Sequence, residues 1–181
     1  DKTILDSIIS FSNRTSYKSI VDRWSKGDLL PGHGVIYYED IRVPALLYTW
    51  TGNKTDLDAT LKAIEWGEKR HMLPVGISSG EEYHAGIGAT RNIETCDVAA
   101  SEWTFLWMLR NTGDKSYADR IEKIFFNASS APVDREFKTM SYYQSLNRYS
   151  STVPGEEPRA PGKGAYKFTR IGHEVLCCVG N

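Results

Sequence analysis

The stretch Asn111-Thr112-Gly113-Asp114-Lys115 separates two segments of helical character, and its echo elsewhere in the chain decides the fold. Before it, Glu102 to Arg110 carries Trp103, Phe105, Leu106, Trp107 and Leu109; after it, Ser116 to Asn127 reads as a partner helix with Ile121 and Phe125 towards its core. An earlier turn, Thr51-Gly52-Asn53-Lys54, has the same chemistry. An offset of 113 − 52 = 61 superposes Thr51 on Thr112, Gly52 on Gly113, Lys54 on Lys115 and Asp58 on Asp119. The earlier turn also lies between helical patterns. Val35 to Trp50 has Ile36, Tyr37, Ile41, Ala45 and Tyr48 at helical spacing, with Pro44 expected to kink the helix or mark a restart. Asp56 to Met72 follows, with Leu57, Leu61, Ile64 and Trp66 as core candidates. Glycine is the residue expected just past each helix end. Two helical hairpins at one period must cover each other's apolar faces, which makes stacked αα units. The expected fold is therefore mostly α, suited to an α/α solenoid closed into a toroid. Its two Gly turns should lie on one side, and Trp103, Phe105, Leu106, Leu109, Ile121 and Phe125 should be buried.

The remaining segments attach to this frame. Asp1 to Leu30 is helical, with breaks expected at Ser12-Asn13 and Ser25-Lys26-Gly27. Leu30-Pro31-Gly32-His33-Gly34 is a loop, and His33 opens the next helix. Leu73 to Ile93 holds Pro74, Gly76, Gly80, Gly86 and Gly88, too many glycines for a helix and too long for an idle connection. It carries Glu81, Glu82 and His84 and delivers the chain to Glu94-Thr95-Cys96. Residues two apart on an extended backbone point to one side, so Glu94 and Cys96 can share a metal if the helix begins after Cys96, near Asp97. Phe137 to Tyr149 is rich in aromatics and reads as a strand or hairpin arm, with Tyr166-Lys167-Phe168-Thr169 as a short returning strand. Ser150 to Gly164, with three prolines and three glycines, is an exposed loop. Asn13, Asn53 and Asn127 stand in Asn-x-Ser/Thr triplets, which matter only in a glycosylating compartment.

Composition narrows the partners. The 181 residues suit one domain, and 40% hydrophobic with 25% charged residues is the balance of a soluble globular chain. A formal net charge of −1 gives no electrostatic case for nucleic acid or an anionic membrane surface. No apolar run reaches the roughly 18–20 residues of a membrane span. No signal peptide is visible, though the chain starts at Asp1 without methionine.

The three cysteines are Cys96, Cys177 and Cys178. Neighbouring Cα atoms lie about 3.8 Å apart, against roughly 5.5–6 Å in an unstrained disulfide, so Cys177 and Cys178 are poor partners for each other. A bridge to Cys96 leaves one thiol over. Two readings stand on spacing alone: three buried free thiols, or a four-ligand zinc set completed by Glu94.

Glu94-Thr95-Cys96, followed some eighty residues later by Cys177-Cys178-Val179-Gly180-Asn181, resembles the signature of glycoside hydrolase family 127, the β-L-arabinofuranosidase-type enzymes. The similarity runs from about His33 to Asn181 and includes Val43-Pro44-Ala45-Leu46-Leu47-Tyr48, the two Thr-Gly turns and Tyr117-Ala118-Asp119. It implies an (α/α)6 barrel catalytic domain of which residues 1–181 are one partial domain, with a short β-hairpin arm near the C-terminal end and the family's β-sandwich domains outside this chain. The resemblance further implies a Zn2+ cofactor held by Glu94, Cys96, Cys177 and Cys178, and Cys177 as the nucleophile. A thiol is mostly neutral at pH 7, whereas a metal-bound one is deprotonated. The acid/base falls on Glu82, which has Ala85-Gly86 after it at the family spacing, or on Glu81, which follows Gly80. His33 and Tyr142 match sugar-facing positions, and Val175 stands where some relatives carry histidine.

The implied activity is retaining exo-hydrolysis of β-L-arabinofuranosides or a related plant-wall sugar. The partner is then a glycoside or oligosaccharide, with homo-oligomerisation left open. Reduced thiols are expected, and the compartment is left open, with a bacterial cytoplasm or periplasm as the settings considered. Two alternatives stand beside it: a non-catalytic carbohydrate-binding or structural toroid with a vestigial metal site, and a zinc knot tying the tail hairpin to the barrel.

Overall fold

The computed structural model describes residues 2–29, 32–133, 135–136, 139–146, 165–167 and 178. Among the described residues six α-helices dominate: α1 (Lys2–Ser12), α2 (Thr15–Ser25), α3 (Gly34–Thr51), α4 (Lys54–His71), α5 (Thr95–Thr112) and α6 (Ser116–Ile124), the last running into a π-helical turn, Phe125–Ser129. Four short strands accompany them: β1 (Ile93–Glu94), β2 (Thr139–Ser141), β3 (Tyr143–Gln144) and β4 (Ala165–Lys167). The mostly helical, hairpin-built fold expected from the 61-residue period is the one observed.

The two hairpins repeat atom for atom at their turns. Gly52 and Gly113 both take φ 68° in the left-handed region, and their N–H groups donate to Tyr48 O and Leu109 O. Thr51 and Thr112 each donate a hydroxyl four residues back, to Leu47 O and Met108 O. The same hydroxyls accept the N–H groups of Asn53 and Asp114. Asn53 Oδ1 and Asp114 Oδ1 then accept from Thr55 N–H and Ser116 N–H, capping α4 and opening α6. A Cβ at Gly52 or Gly113 would meet nothing within 4 Å, so only the backbone conformation demands glycine there. Gly113→Ala should therefore cost about 1–2 kcal/mol in urea unfolding, and Gly113→Asn clearly less. Equal stability of the alanine variant would show that the turn relaxes.

The hairpins stack side by side. Thr104 Oγ1 donates to Tyr38 O and Asn111 Nδ2 to Ala45 O, both across 66 residues, so α3 and α5 run parallel. Their C-terminal ends, and with them the Gly52 and Gly113 turns, lie together, as a Thr49–Asn111 hydrogen bond of 2.8 Å also requires. Further round, α1 meets α3 and α2 packs on α4, where Tyr17 donates to the buried Asp56 at 2.9 Å. The main core lies between α3, α4, α5 and α6, around Tyr38, Ile41, Ile64, Phe105, Met108 and Ile124. Pro44 is buried inside α3, which continues through it and is not restarted there.

The burial expected of six apolar side chains in the second hairpin holds only in part. Phe105 is buried and Leu109 and Ile121 are partly covered, but Trp103, Leu106 and Phe125 are each more than half exposed. Residues 103 to 109 are apolar on every side of α5, and only one side can face α3 and α6. Trp103 instead lies under the Arg42 guanidinium, 4.0 Å from its ring centre. Phe125 stands where α6 gives way to the π-helical turn, and its side chain faces outward there.

The tail contributes two small sheets. Strand β2 pairs antiparallel with β4, as expected of a hairpin arm, while β3 pairs with β1, setting Tyr143 opposite Glu94. No helix among the described residues is long and apolar enough to cross a membrane.

Candidate active site

The site assembles at the end of the bundle opposite the Gly turns, where α3 and α5 begin. Glu94 ends β1 and is the N-cap of α5, with extended φ −71° and ψ 139°. The helix thus starts at Thr95, two residues before the expected boundary, because Thr95 is already pinned by its N–H to Tyr142 O at 2.9 Å and its hydroxyl to Ser141 O at 2.7 Å. Glu94 and Cys96 still converge, since an extended cap residue is free of the helical 100° step. Cys96 Sγ lies 3.0 Å from Cys178 Sγ, and Cys178 Sγ lies 3.8 Å from Glu94 Oε1. All three residues are buried and the cysteines are free thiols, their separation well beyond the roughly 2.05 Å of a disulfide bond. Of the four expected metal ligands, Glu94, Cys96 and Cys178 come together with one donor atom each within 4.8 Å of the others. Cys177 lies outside the described residues.

That donor set suits zinc. Two sulfurs and a carboxylate are among its usual ligands, and the other Glu94 oxygen, Oε2, is buried with no hydrogen-bond partner among the described residues. A buried carboxylate oxygen left unsatisfied costs free energy unless a cation or donor meets it.

A second group of side chains meets the first at Glu94. One donor atom from each of His33, Glu82 and Glu94 lies within 4.8 Å of the other two. His33, the N-cap of α3, places Nε2 3.1 Å from Glu82 Oε2. Tyr142 and Tyr143 both donate to Glu82 Oε1, at 2.8 and 3.1 Å. Expected His33 and Tyr142 are therefore beside the expected carboxylate, and Tyr143 joins them. Glu82 is also the one non-glycine residue with positive φ among those described, at 68°. Holding such a residue in the left-handed region costs on the order of 1–3 kcal/mol and is seen where function fixes the backbone.

Glu81 points elsewhere. Its Oε1 accepts Asn92 N–H at 3.2 Å and lies 4.0 Å from Arg91 Nη1, bracing the loop's return to β1. The two adjacent glutamates thus have separate partners.

Asp97, one residue past Cys96, was visible in the sequence only as a helix-start acid. It is fully buried, with neither carboxylate oxygen hydrogen-bonded among the described residues. Burial, then the nearby Glu94 and Cys96, push its carboxyl well above the usual range. A Cβ at Gly34 would stand 2.7 Å from Asp97 Oδ1, and one at Gly80 would collide with Oδ2. These two glycines are needed for close approach. They let the starts of α3 and α5 and the 73–92 loop meet around one acid.

Comparison with known proteins follows the same lines. In structure the chain is similar to a GH127 β-L-arabinofuranosidase from Geobacillus stearothermophilus T6, with TM-score 0.61 and 23% identity over 71% of this chain and 21% of that one. It is also similar to a structure described as a glycoside hydrolase, with TM-score 0.63 and 18% identity over 82% of this chain and 29% of that one. The chain thus spans under a third of the length of either neighbour, and at these identities the likeness shows the fold. No curated protein matches it in sequence. The family profile for the β-L-arabinofuranosidase GH127 catalytic domain, however, matches residues 39–181, from the middle of α3 through both cysteine segments. The chain belongs to the GH127 β-L-arabinofuranosidase catalytic-domain family.

Proposed function

We propose that this chain carries the active site of a zinc-dependent, retaining exo-glycosidase acting on β-L-arabinofuranosides or a related plant-wall sugar. The observation that carries the reading is the junction at Glu94. A sulfur–carboxylate donor set on one side meets, within 4.8 Å, a carboxylate held by an imidazole on the other, while two tyrosines donate to that carboxylate. Glycoside cleavage needs a nucleophile and a proton donor at one anomeric centre, and these two groups can supply them.

Glu94, Cys96 and Cys178 would hold zinc, with Cys177 as the fourth ligand from the family pattern. Zinc, when bound, supplies the positive charge that keeps its thiol ligands deprotonated. The Cys177 thiolate attacks the anomeric carbon as the bond to the leaving oxygen breaks, and Glu82 gives that oxygen its proton. Water then attacks the same carbon from the face the leaving group vacated. Glu82 takes a proton from this water, and Cys177 departs as thiolate with the configuration retained. His33, Tyr142 and Tyr143 orient the Glu82 carboxyl between the two steps.

The full-length protein tests this directly. Screened against aryl glycosides and plant-wall oligosaccharides, it should hydrolyse an L-arabinofuranoside or a close analogue and release the sugar with retained configuration. Purified without chelator, it should hold one zinc per chain, which Cys96→Ser should lower severalfold. A metal-free, fully active enzyme would rule out the zinc assignment. A zinc-loaded protein that cleaves nothing on the panel would favour a structural metal site instead.

A further inference from the structure

The backbone that brings Glu82 to His33 is held from behind by two histidines that the proposed reaction does not use. Residues 32–34 and 82–84 run antiparallel, with Gly34 N–H donating to Glu82 O at 2.8 Å and His84 N–H donating to Gly32 O at 2.9 Å. The His84 side chain adds to this ladder, its Nδ1 accepting Gly32 N–H at 3.3 Å. Against it lies His71, the last residue of α4, with ring centres 4.4 Å apart and planes only 17° from parallel. His71 Nδ1 accepts Gly86 N–H at 3.1 Å, so it holds the far side of the same loop. Tyr37 and Trp66 pack against the His84 ring at 4.7 and 5.7 Å.

Each Nδ1 accepts from a backbone N–H, which assigns each ring the neutral tautomer protonated at Nε2, although neither buried Nε2 has a hydrogen-bond partner among the described residues. Burial first, and then the proximity of the His71 and His33 imidazoles, lowers the His84 pKa to about 4, which keeps the ring in that form at neutral pH. A stack of two neutral imidazoles is a rigid block with two acceptors facing the loop. Glu82, the residue at positive φ, sits two positions from one of them.

We propose that the stacked His71–His84 pair is the positioning device that holds Glu82 against His33, by clamping Gly32 and Gly86 on either side of the strained turn. The proposal rests on the glycosidase reading for the use made of Glu82, but the clamp itself can be tested without turnover.

His84→Phe keeps the ring volume and the stack and removes the acceptor, whereas His84→Asn offers an acceptor near the position of Nδ1. In the full-length protein, His84→Phe should lower kcat about tenfold to a hundredfold with little change in KM, the expected result of misplacing a reacting group by a fraction of an ångström to one ångström. His84→Asn should recover most of that loss, and both variants should keep the parent's zinc content. Imidazole 15N spectra should show His71 and His84 protonated at Nε2 in the parent, and His33 signals that move in His84→Phe but not in His84→Asn. Nδ1-protonated rings, unmoved His33 signals in His84→Phe, or an asparagine variant as impaired as the phenylalanine one would each overturn the proposal. If the parent hydrolyses no glycoside, the glycosidase reading fails, and the His33 signals still decide whether the clamp positions the Glu82–His33 pair.

Discussion

Cys177→Ser is expected to abolish the proposed turnover in the full-length protein, with a loss on the order of 10⁴-fold or more, as when a nucleophile is removed from other hydrolases. Serine differs from cysteine by one atom, but its hydroxyl is protonated at neutral pH and is a far weaker nucleophile than a thiolate. The neighbouring donors make a thiolate reasonable here. Cys96 and Cys178 lie 3.0 Å apart in full burial beside the Glu94 carboxylate, a combination unfavourable for three ionised groups unless a cation sits among them. Because serine can also weaken metal binding, loss of activity alone does not identify the nucleophile. A haloacetamide derivative of the substrate sugar should therefore be attached at Cys177 in peptide mapping. Attachment at Cys96, or undiminished activity in the serine variant, would remove the thiolate mechanism and leave a structural metal.

How far the sequence revealed this architecture follows from the range over which each signal acts. The hairpins were legible because turn chemistry is local: Thr-Gly-Asn and Thr-Gly-Asp each complete their hydrogen bonds within nine residues, and the 61-residue period repeats them. The gathering of Glu94, Cys96 and Cys178 was legible because rare residue types stood in a family pattern. The helix boundary at Thr95 was not, since it depends on Tyr142 O and Ser141 O nearly fifty residues away. The exposure of Trp103 and Leu106 was missed for a related reason: an all-round apolar helix does not say which side meets its neighbours. Tyr143, His71 and His84 carry no motif. Only the fold shows that one faces Glu82 and that the other two stack.

The choice between Glu81 and Glu82, open on sequence, is where the structure adds most, and it yields the second large effect. Glu82→Gln is expected to lower kcat about 10²–10⁴-fold on substrates with poor leaving groups, the usual contribution of a general acid. Glutamine keeps the shape and can still accept from Tyr142 and Tyr143, but it has no proton to give the leaving oxygen. On an aryl glycoside whose phenol leaves unprotonated, the first step should recover, and hydrolysis of the glycosyl-enzyme should become limiting. Added azide, which needs no general base, should then restore turnover as glycosyl azide of retained configuration. Glu81→Gln should behave differently. Glu81 holds Asn92 N–H and faces Arg91, so its loss should loosen the loop and lower activity on all substrates alike, by about tenfold at most, the scale of losing one hydrogen bond. The dependence on leaving group is therefore the discriminating observation. If it appears in the Glu81 variant and not in the Glu82 one, the carboxylate bound by His33, Tyr142 and Tyr143 has a binding role, and the loop must rearrange to bring Glu81 to the sugar.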